Sequence, residues 1–288
     1  MPEVILAKSA GYCFGVQRAV DTVLEQVREH GGDKTIYTLG PLIHNQQVIR
    51  DLERQGVVTL PGEEALEGVE DGIVIIRSHG VSRHVIETLE QNGIDYVDAT
   101  CPFVERIHTI VQEEEDKGRR VVVIGNADHP EVRGICGWCQ DEPAVLRDSA
   151  EAEAFSESEN RPISVVAQTT FQKNKFQEIV EILRRKGYNI NVLDTICSAT
   201  LERQKEAAEI ASKVDLMLVV GDAHSSNTQK LFEICNTCCT HTCFVQIPDD
   251  LDLNLVMSVK TVGITAGAST PNYIIEEVQN YVRRKDFV

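Results

Sequence analysis

Three cysteines, Cys13, Cys101 and Cys197, hold matching places in a unit that the chain writes three times. After Cys101 an amphipathic stretch and the apolar run Val121-Val122-Val123-Ile124 lead to Gly125, 24 positions on; after Cys197 the run Leu216-Met217-Leu218-Val219-Val220 leads to Gly221, again 24 on. The first copy is looser, with 27 positions from Cys13 to Gly40 by way of Thr35-Ile36-Tyr37-Thr38-Leu39. Four residues past each glycine stand His44, His129 and Ser225; six past it stand Gln46, Glu131 and Asn227. Three thiolates from equivalent loops can hold a tetrahedral zinc with one position left for water. They can equally hold three corners of an iron-sulfur cubane, with the fourth iron left for substrate. Core packing gives no reason for cysteine to recur in register beside polar loops, although a lone free cysteine is usually a core residue. Glu131 is the only proton-transferring side chain among its three equivalents, which makes it an acid-base candidate; helix capping after Pro130 is its structural alternative.

These residues need elements to position them. Short β-rich runs alternate with amphipathic stretches along the whole chain, the pattern of α/β layering with parallel strands. Strands are expected at 4–7, 35–39, 57–60 and 73–76, then at 96–98, 121–124, 144–147 and 163–166, then at 190–193, 216–220, 244–247 and 262–265. The helix after Cys13 carries Val16, Val20, Val23, Leu24 and Val27 on one face, and the one after Cys101 repeats this with Val104, Ile107, Ile110 and Val111. The fold class expected is α/β: three pseudo-repeated units, 1–94, 95–187 and 188–288, with mostly parallel four-stranded sheets and pseudo-threefold packing around a central site. Ligands of open α/β sheets bind beyond the carboxyl ends of the strands. The cysteines follow the first strand of each unit, and His44, His129 and Ser225 follow the second. After the fourth come Ser78-His79-Gly80, Gln168-Thr169-Thr170 and Ala266-Gly267-Ala268-Ser269.

Composition excludes several function classes. A formal charge of −17 over 288 residues argues against a nucleic-acid partner, which would need clustered Lys and Arg on phosphates. No apolar run approaches the roughly 20 residues of a membrane span, and the N-terminus lacks a basic segment followed by a long apolar core. A cytoplasmic protein is expected, and there nine cysteines point to metal or redox roles rather than disulfides. Two further groupings do not recur in the other repeats. Cys136-Gly137-Trp138-Cys139 lacks a partner pair at zinc-ribbon spacing, Cys235 reads as core on a helix from Thr228, and Cys238, Cys239 and Cys243 around His241 read as surface-loop thiols.

The motifs Gly11-Tyr12-Cys13-Phe14-Gly15-Val16, His44-Asn45, Ser78-His79-Gly80-Val81, Asp98-Ala99-Thr100-Cys101-Pro102, His129-Pro130-Glu131-Val132, Gln168-Thr169-Thr170, Ser225-Ser226-Asn227 and Thr265-Ala266-Gly267-Ala268-Ser269 together resemble the LytB/IspH family. The match runs in order through essentially the whole chain. The resemblance implies a 4-hydroxy-3-methylbut-2-enyl diphosphate reductase, acting at the last step of the non-mevalonate isoprenoid pathway. It implies that Cys13, Cys101 and Cys197 bind one 4Fe-4S cluster with an open fourth iron. It places His44, His79, His129, Ser225, Ser226, Asn227 and Ser269 on an allylic diphosphate, and gives Thr169 and Glu131 the hydroxyl and the protons, with His129 in the same network. An external one-electron donor such as ferredoxin or flavodoxin is implied as partner. Arg77, His224 and the cysteine-rich loop have no counterpart in that pattern.

Overall fold

Val, Ile and Leu dominate the inner strands, which can be buried on both faces only if helices cover the sheet, and that is the parallel arrangement. A computed structural model of the chain describes residues 2–157 and 161–283. Its strands are β1 (Glu3–Leu6), β2 (Thr35–Leu39), β3 (Val58–Leu60), β4 (Gly72–Ile76), β5 (Asp95–Asp98) and β6 (Arg120–Ile124), then β7 (Ala144–Leu146), β8 (Ile163–Ala167), β9 (Ile190–Val192), β10 (Leu216–Val220), β11 (Thr242–Val245) and β12 (Thr261–Ala266). The helices that matter to the site are α1 (Phe14–His30), α2 (Gln46–Arg54), α3 (Arg83–Gln91), α4 (Pro102–Asp116), α5 (Pro130–Cys136), α6 (Ser149–Ala154), α7 (Lys173–Arg185), α8 (Ser198–Ala211), α9 (Ser226–Cys238), α10 (Leu253–Ser258) and α11 (Asn272–Val282). The polar stretch 151–160 is helical through Ala154, and residues 158–160 lie outside the described ones.

Every strand expected from the sequence forms, and all pairings are parallel, in three four-stranded sheets of one topology. The orders are β5-β4-β2-β3, β9-β8-β6-β7 and β1-β12-β10-β11. The boundaries near 94 and 188 therefore cut one strand too early: β5 closes the sheet of the first third, β9 that of the second, and β1 returns to pair with β12 in the last. The physical reason is that a strand's neighbour is chosen by crossover length and core burial, neither of which shows in local periodicity.

Two compact units hold these sheets. One combines the N-terminal segment to Val16, Ile43–Arg50 and the chain from Ser198 onward; the other comprises Gln17–Leu42 and Asp51–Cys197. In the first unit, Leu216, Leu218 and Val220 of β10 face Ile274 and Val278 of α11, while Met217 and Val219 face Ala207 and Ile210 of α8 and Leu231 and Cys235 of α9. Alternation along one fully buried strand thus feeds two cores. In the second unit, Val74 and Ile76 of β4 pack with Val85 and Leu89 of α3, and Val121 and Val123 of β6 pack with Ile107 and Val111 of α4. The edge strands that lead to the three cysteines are short and half exposed, with Glu3 at the start of β1 and Asp95 and Asp98 at the ends of β5. Among the described residues no helix is long and apolar enough to cross a membrane.

Candidate active site

Each cysteine of the repeat is set by one main-chain bond of the same kind. Cys101 N donates to Ser78 O at 3.0 Å, Cys197 N to Thr169 O at 3.0 Å and Cys13 N to Ala268 O at 3.3 Å. The cysteine loop that follows each edge strand is thereby tied to the loop leaving that strand's inner neighbour, β12, β4 or β8. A second bond recurs at the glycines, where Gly40, Gly125 and Gly221 donate to Leu60 O, Leu146 O and Val245 O, at 2.9, 3.0 and 2.9 Å. Two arginines clamp the cysteine loops from outside. Arg18 Nη1 donates to Thr100 O at 2.7 Å, and buried Arg203 Nη1 donates to both Gly11 O and Ala266 O at 2.9 and 2.8 Å. All nine cysteines are free thiols, and Cys13, Cys101 and Cys197 are partly exposed.

In the unit that contains β6 and β8, the loops after these strands meet around Glu131. His129 caps α5 with Pro130 at its first position, and its Nδ1 accepts from Glu131 N at 3.1 Å, so the ring carries its proton on Nε2. The Glu131 carboxyl, 2% exposed, takes Thr169 N at 2.6 Å on Oε1 and the Thr169 hydroxyl at 2.7 Å on Oε2. Burial pushes its pKa up to about 7, against the opposing pull of the Thr169 backbone and hydroxyl donors. The loop itself is held by Gln168, whose amide takes Asn126 N on Oε1 and donates from Nε2 to Thr170 Oγ1. The His79 ring stands edge-on to that of His129 with centroids 5.3 Å apart. Glu131, Thr169, His129 and His79 therefore form one group, 90 residues apart in sequence at the extremes.

The unit built on β10 and β12 gathers a second group. Ser225 caps α9, accepting from Thr228 N at 3.3 Å. The Ser269 hydroxyl sits between His44 O at 2.9 Å and Ser225 Oγ at 3.2 Å, and Asn227 Oδ1 accepts from Ala268 N at 2.9 Å. Ser226 is the first residue of α9, half-buried at the helix N-terminus, where backbone N–H groups favour an anion. Gly267 and Gly221 are required here because a Cβ at either would fall 2.0 or 2.8 Å from Thr228 Oγ1. Asp222 is a buried carboxylate that the sequence reading passed over; it accepts from His224 N at 2.8 Å and Gln46 N at 3.1 Å. Its signal was present, since Asn126 stands at the same place after Gly125 and makes the same turn bond, to Asp128 N at 3.1 Å. His224 itself is exposed.

The remaining cysteines sort by burial. Cys136 and Cys139 flank the C-terminal turn of α5, and burial pushes the Cys136 thiol up to about 11 and Cys139 higher still, so both stay protonated. Cys235 is fully buried between α8 and α9, as its helical position suggested. Of Cys238, Cys239 and Cys243, expected as surface-loop thiols, Cys238 alone is exposed, and it lies at the end of a helix rather than in a loop. Helix α9 runs on through Cys238, Cys239 is buried with Sγ 3.3 Å from His241 O, and Cys243 lies within β11, so only three residues separate helix from strand.

The model of the family described as LytB protein matches residues 4–283. The 4-hydroxy-3-methylbut-2-enyl diphosphate reductase of Alkaliphilus oremlandii is 43% identical over 277 residues, 96% of this chain and 97% of that protein. A solved structure of the E-1-hydroxy-2-methyl-but-2-enyl-4-diphosphate reductase from Plasmodium falciparum superposes with a TM-score of 0.93 at 29% identity, covering 99% of this chain and 89% of that one. Another, described as (E)-4-hydroxy-3-methyl-but-2-enyl diphosphate reductase, the terminal enzyme of the non-mevalonate pathway, has a TM-score of 0.70 at 36% identity, covering 98% and 99%.

Proposed function

The chain belongs to the LytB protein family, and on that premise we propose that it is an oxidoreductase removing the hydroxyl of (E)-4-hydroxy-3-methylbut-2-enyl diphosphate. Two electrons and two protons are taken up, the C–O bond breaks, one proton leaves with the hydroxyl as water and the other ends on carbon, giving isopentenyl and dimethylallyl diphosphates. The observation that carries the reading is the buried Glu131 carboxyl, doubly bonded to Thr169, whose carbonyl positions Cys197. One residue thus links a proton source to the loop of a thiol.

Cys13, Cys101 and Cys197 would hold one 4Fe-4S cluster. They suit it as free, partly exposed thiols that stand at one topological position and share one anchoring bond. When bound, the cluster supplies a Lewis-acidic iron for the substrate hydroxyl and single electrons from an external donor such as ferredoxin or flavodoxin. Glu131, with its pKa near neutrality, holds the proton, and the Thr169 hydroxyl relays it to the departing oxygen. His129, fixed with Nε2–H by its cap bond, and His79 beside it would donate to the diphosphate. His44, Ser225, Ser226, Asn227 and Ser269 would donate from the other group, with the α9 N-terminus adding backbone N–H groups. Neutral donors in a closed site each cost less desolvation than an ammonium. The reaction is expected in the cytoplasm.

The test is anaerobic turnover of the hydroxylated diphosphate with a reduced one-electron donor. Formation of both isoprenoid diphosphates is expected; a colourless protein holding zinc, without iron or sulfide and without turnover, would overturn the reading in favour of zinc hydrolysis.

A further inference from the structure

The loop after β4 carries a charge that none of these roles uses. Arg77 follows the last residue of β4, and its carbonyl accepts from Gly80 N at 3.0 Å, closing the turn that presents His79. Its side chain runs over Gly40 at the end of β2, where a Cβ would fall 2.3 Å from Nη1. Gly40 also has φ +72, so the site rejects a side chain on two counts and leaves the guanidinium its berth. The Arg77 side chain has no hydrogen-bond or ion-pair partner among the described residues, and its Nε is buried without an acceptor.

The charged groups that face it do not neutralise it. Glu63, at the start of the turn after β3, attracts it without reaching ion-pair distance, and Arg133 on α5 repels it; burial, the largest influence, draws its pKa below the usual guanidinium range. Arg133 in turn sits one helical turn beyond His129, with Arg133 N donating to His129 O at 3.0 Å. Two guanidinium-bearing residues thus adjoin the turn of His79 and the cap of His129, whose rings are in contact. A half-buried guanidinium whose Nε has no acceptor is costly to keep, and an arriving anion offsets that cost. In a chain of net charge −17 a polyanionic substrate is repelled at long range, so a local cation within a Debye length has a large effect on capture.

We propose that Arg77 recruits the substrate: a fixed cation beside the His79 turn that draws in the diphosphate and adds to its affinity, with no part in breaking the C–O bond. The identity of the anion rests on the reductase reading; the need for an anion does not.

Binding of inorganic diphosphate to the anaerobically prepared holoprotein, measured by calorimetry at low and high salt, tests this with Arg77→Gln and Arg77→Lys. Arg77→Gln should bind about tenfold more weakly with a flatter salt dependence, and Arg77→Lys should recover most of both. In turnover the same loss should fall on KM, with kcat within about twofold and iron content equal in all three proteins. Unchanged diphosphate affinity and salt dependence in Arg77→Gln would overturn the inference, and so would an Arg77→Lys protein as weak as Arg77→Gln, which would make the residue a packing element. If Arg77→Gln loses diphosphate but the parent never turns over the hydroxylated substrate, the inference stands and the reductase reading falls.

Discussion

In the second repeat the side chain six residues past the glycine is Glu131, and it takes Thr169 N at 2.6 Å; in the third it is Asn227, and it takes Ala268 N at 2.9 Å. The carbonyls of those two acceptor-loop residues then hold Cys197 N and Cys13 N. Strand order and the main-chain hydrogen-bond path are the same, and what differs is a carboxyl against an amide, with a Thr169 hydroxyl on the carboxyl where Ala268 has none. The amide fixes the loop and carries no proton that titrates near neutrality. The carboxyl fixes it equally well and also titrates, because burial lifts its pKa to about 7. A repeated scaffold can therefore anchor three thiols alike while a single substitution leaves one loop with a titrating carboxyl and its counterpart with a neutral amide.

Making the second repeat like the third should have the largest effect. In Glu131→Gln the amide keeps an acceptor for Thr169 N and a donor for its hydroxyl. Iron content and diphosphate binding should stay, while turnover falls by about a hundredfold or more. Full activity in this variant would remove Glu131 from proton delivery. The reverse change, Asn227→Asp, puts a buried carboxylate among the groups proposed to hold the diphosphate at the start of α9. KM should rise about tenfold with little change in kcat, read from steady-state turnover; an unchanged KM would place the diphosphate elsewhere.

The pH dependence of stability sharpens the contrast further. The folded pKa of Glu131 lies above its unfolded value, so its contribution is complete below about pH 4.5 and is lost as pH rises through about 7. That loss is on the order of 3 kcal/mol at most. Denaturant midpoints at about pH 5 and about pH 8 should show it in the parent and not in Glu131→Gln, and kcat should fall along the same alkaline limb. The smallest effect belongs to the cysteines outside the repeat. Replacing Cys136 and Cys139 together by Ser should leave iron content unchanged, and loss of iron would show that α5 carries a ligand.

Much of this was legible before any coordinates. All twelve strands stood where β-rich runs stood, and the register of Cys13, Cys101 and Cys197 with their glycines marked three copies of one topology. The partition of strands among sheets was not legible, since nothing in Glu3-Val4-Ile5-Leu6 says that it pairs with Val262 and Ile264 at the far end of the chain. The bond from Thr169 to Glu131 spans 38 residues and depends on two loops meeting, so sequence could name both residues without showing that they touch. Cys239 was misread for a local reason: α9 continues through Thr237 and Cys238, residues with weak helical preference that packing against α8 overrides.

The central claim is that the three cysteines in register are equivalent ligands of one cluster. Iron and acid-labile sulfide in anaerobically purified protein, and in the single variants Cys13→Ser, Cys101→Ser and Cys197→Ser, test it most directly. The parent should hold about four iron and four sulfide per chain, and all three variants should lose the cluster alike. A variant that keeps the parent's full content would contradict the equivalence, and zinc in place of iron and sulfide in the parent would contradict the cluster itself.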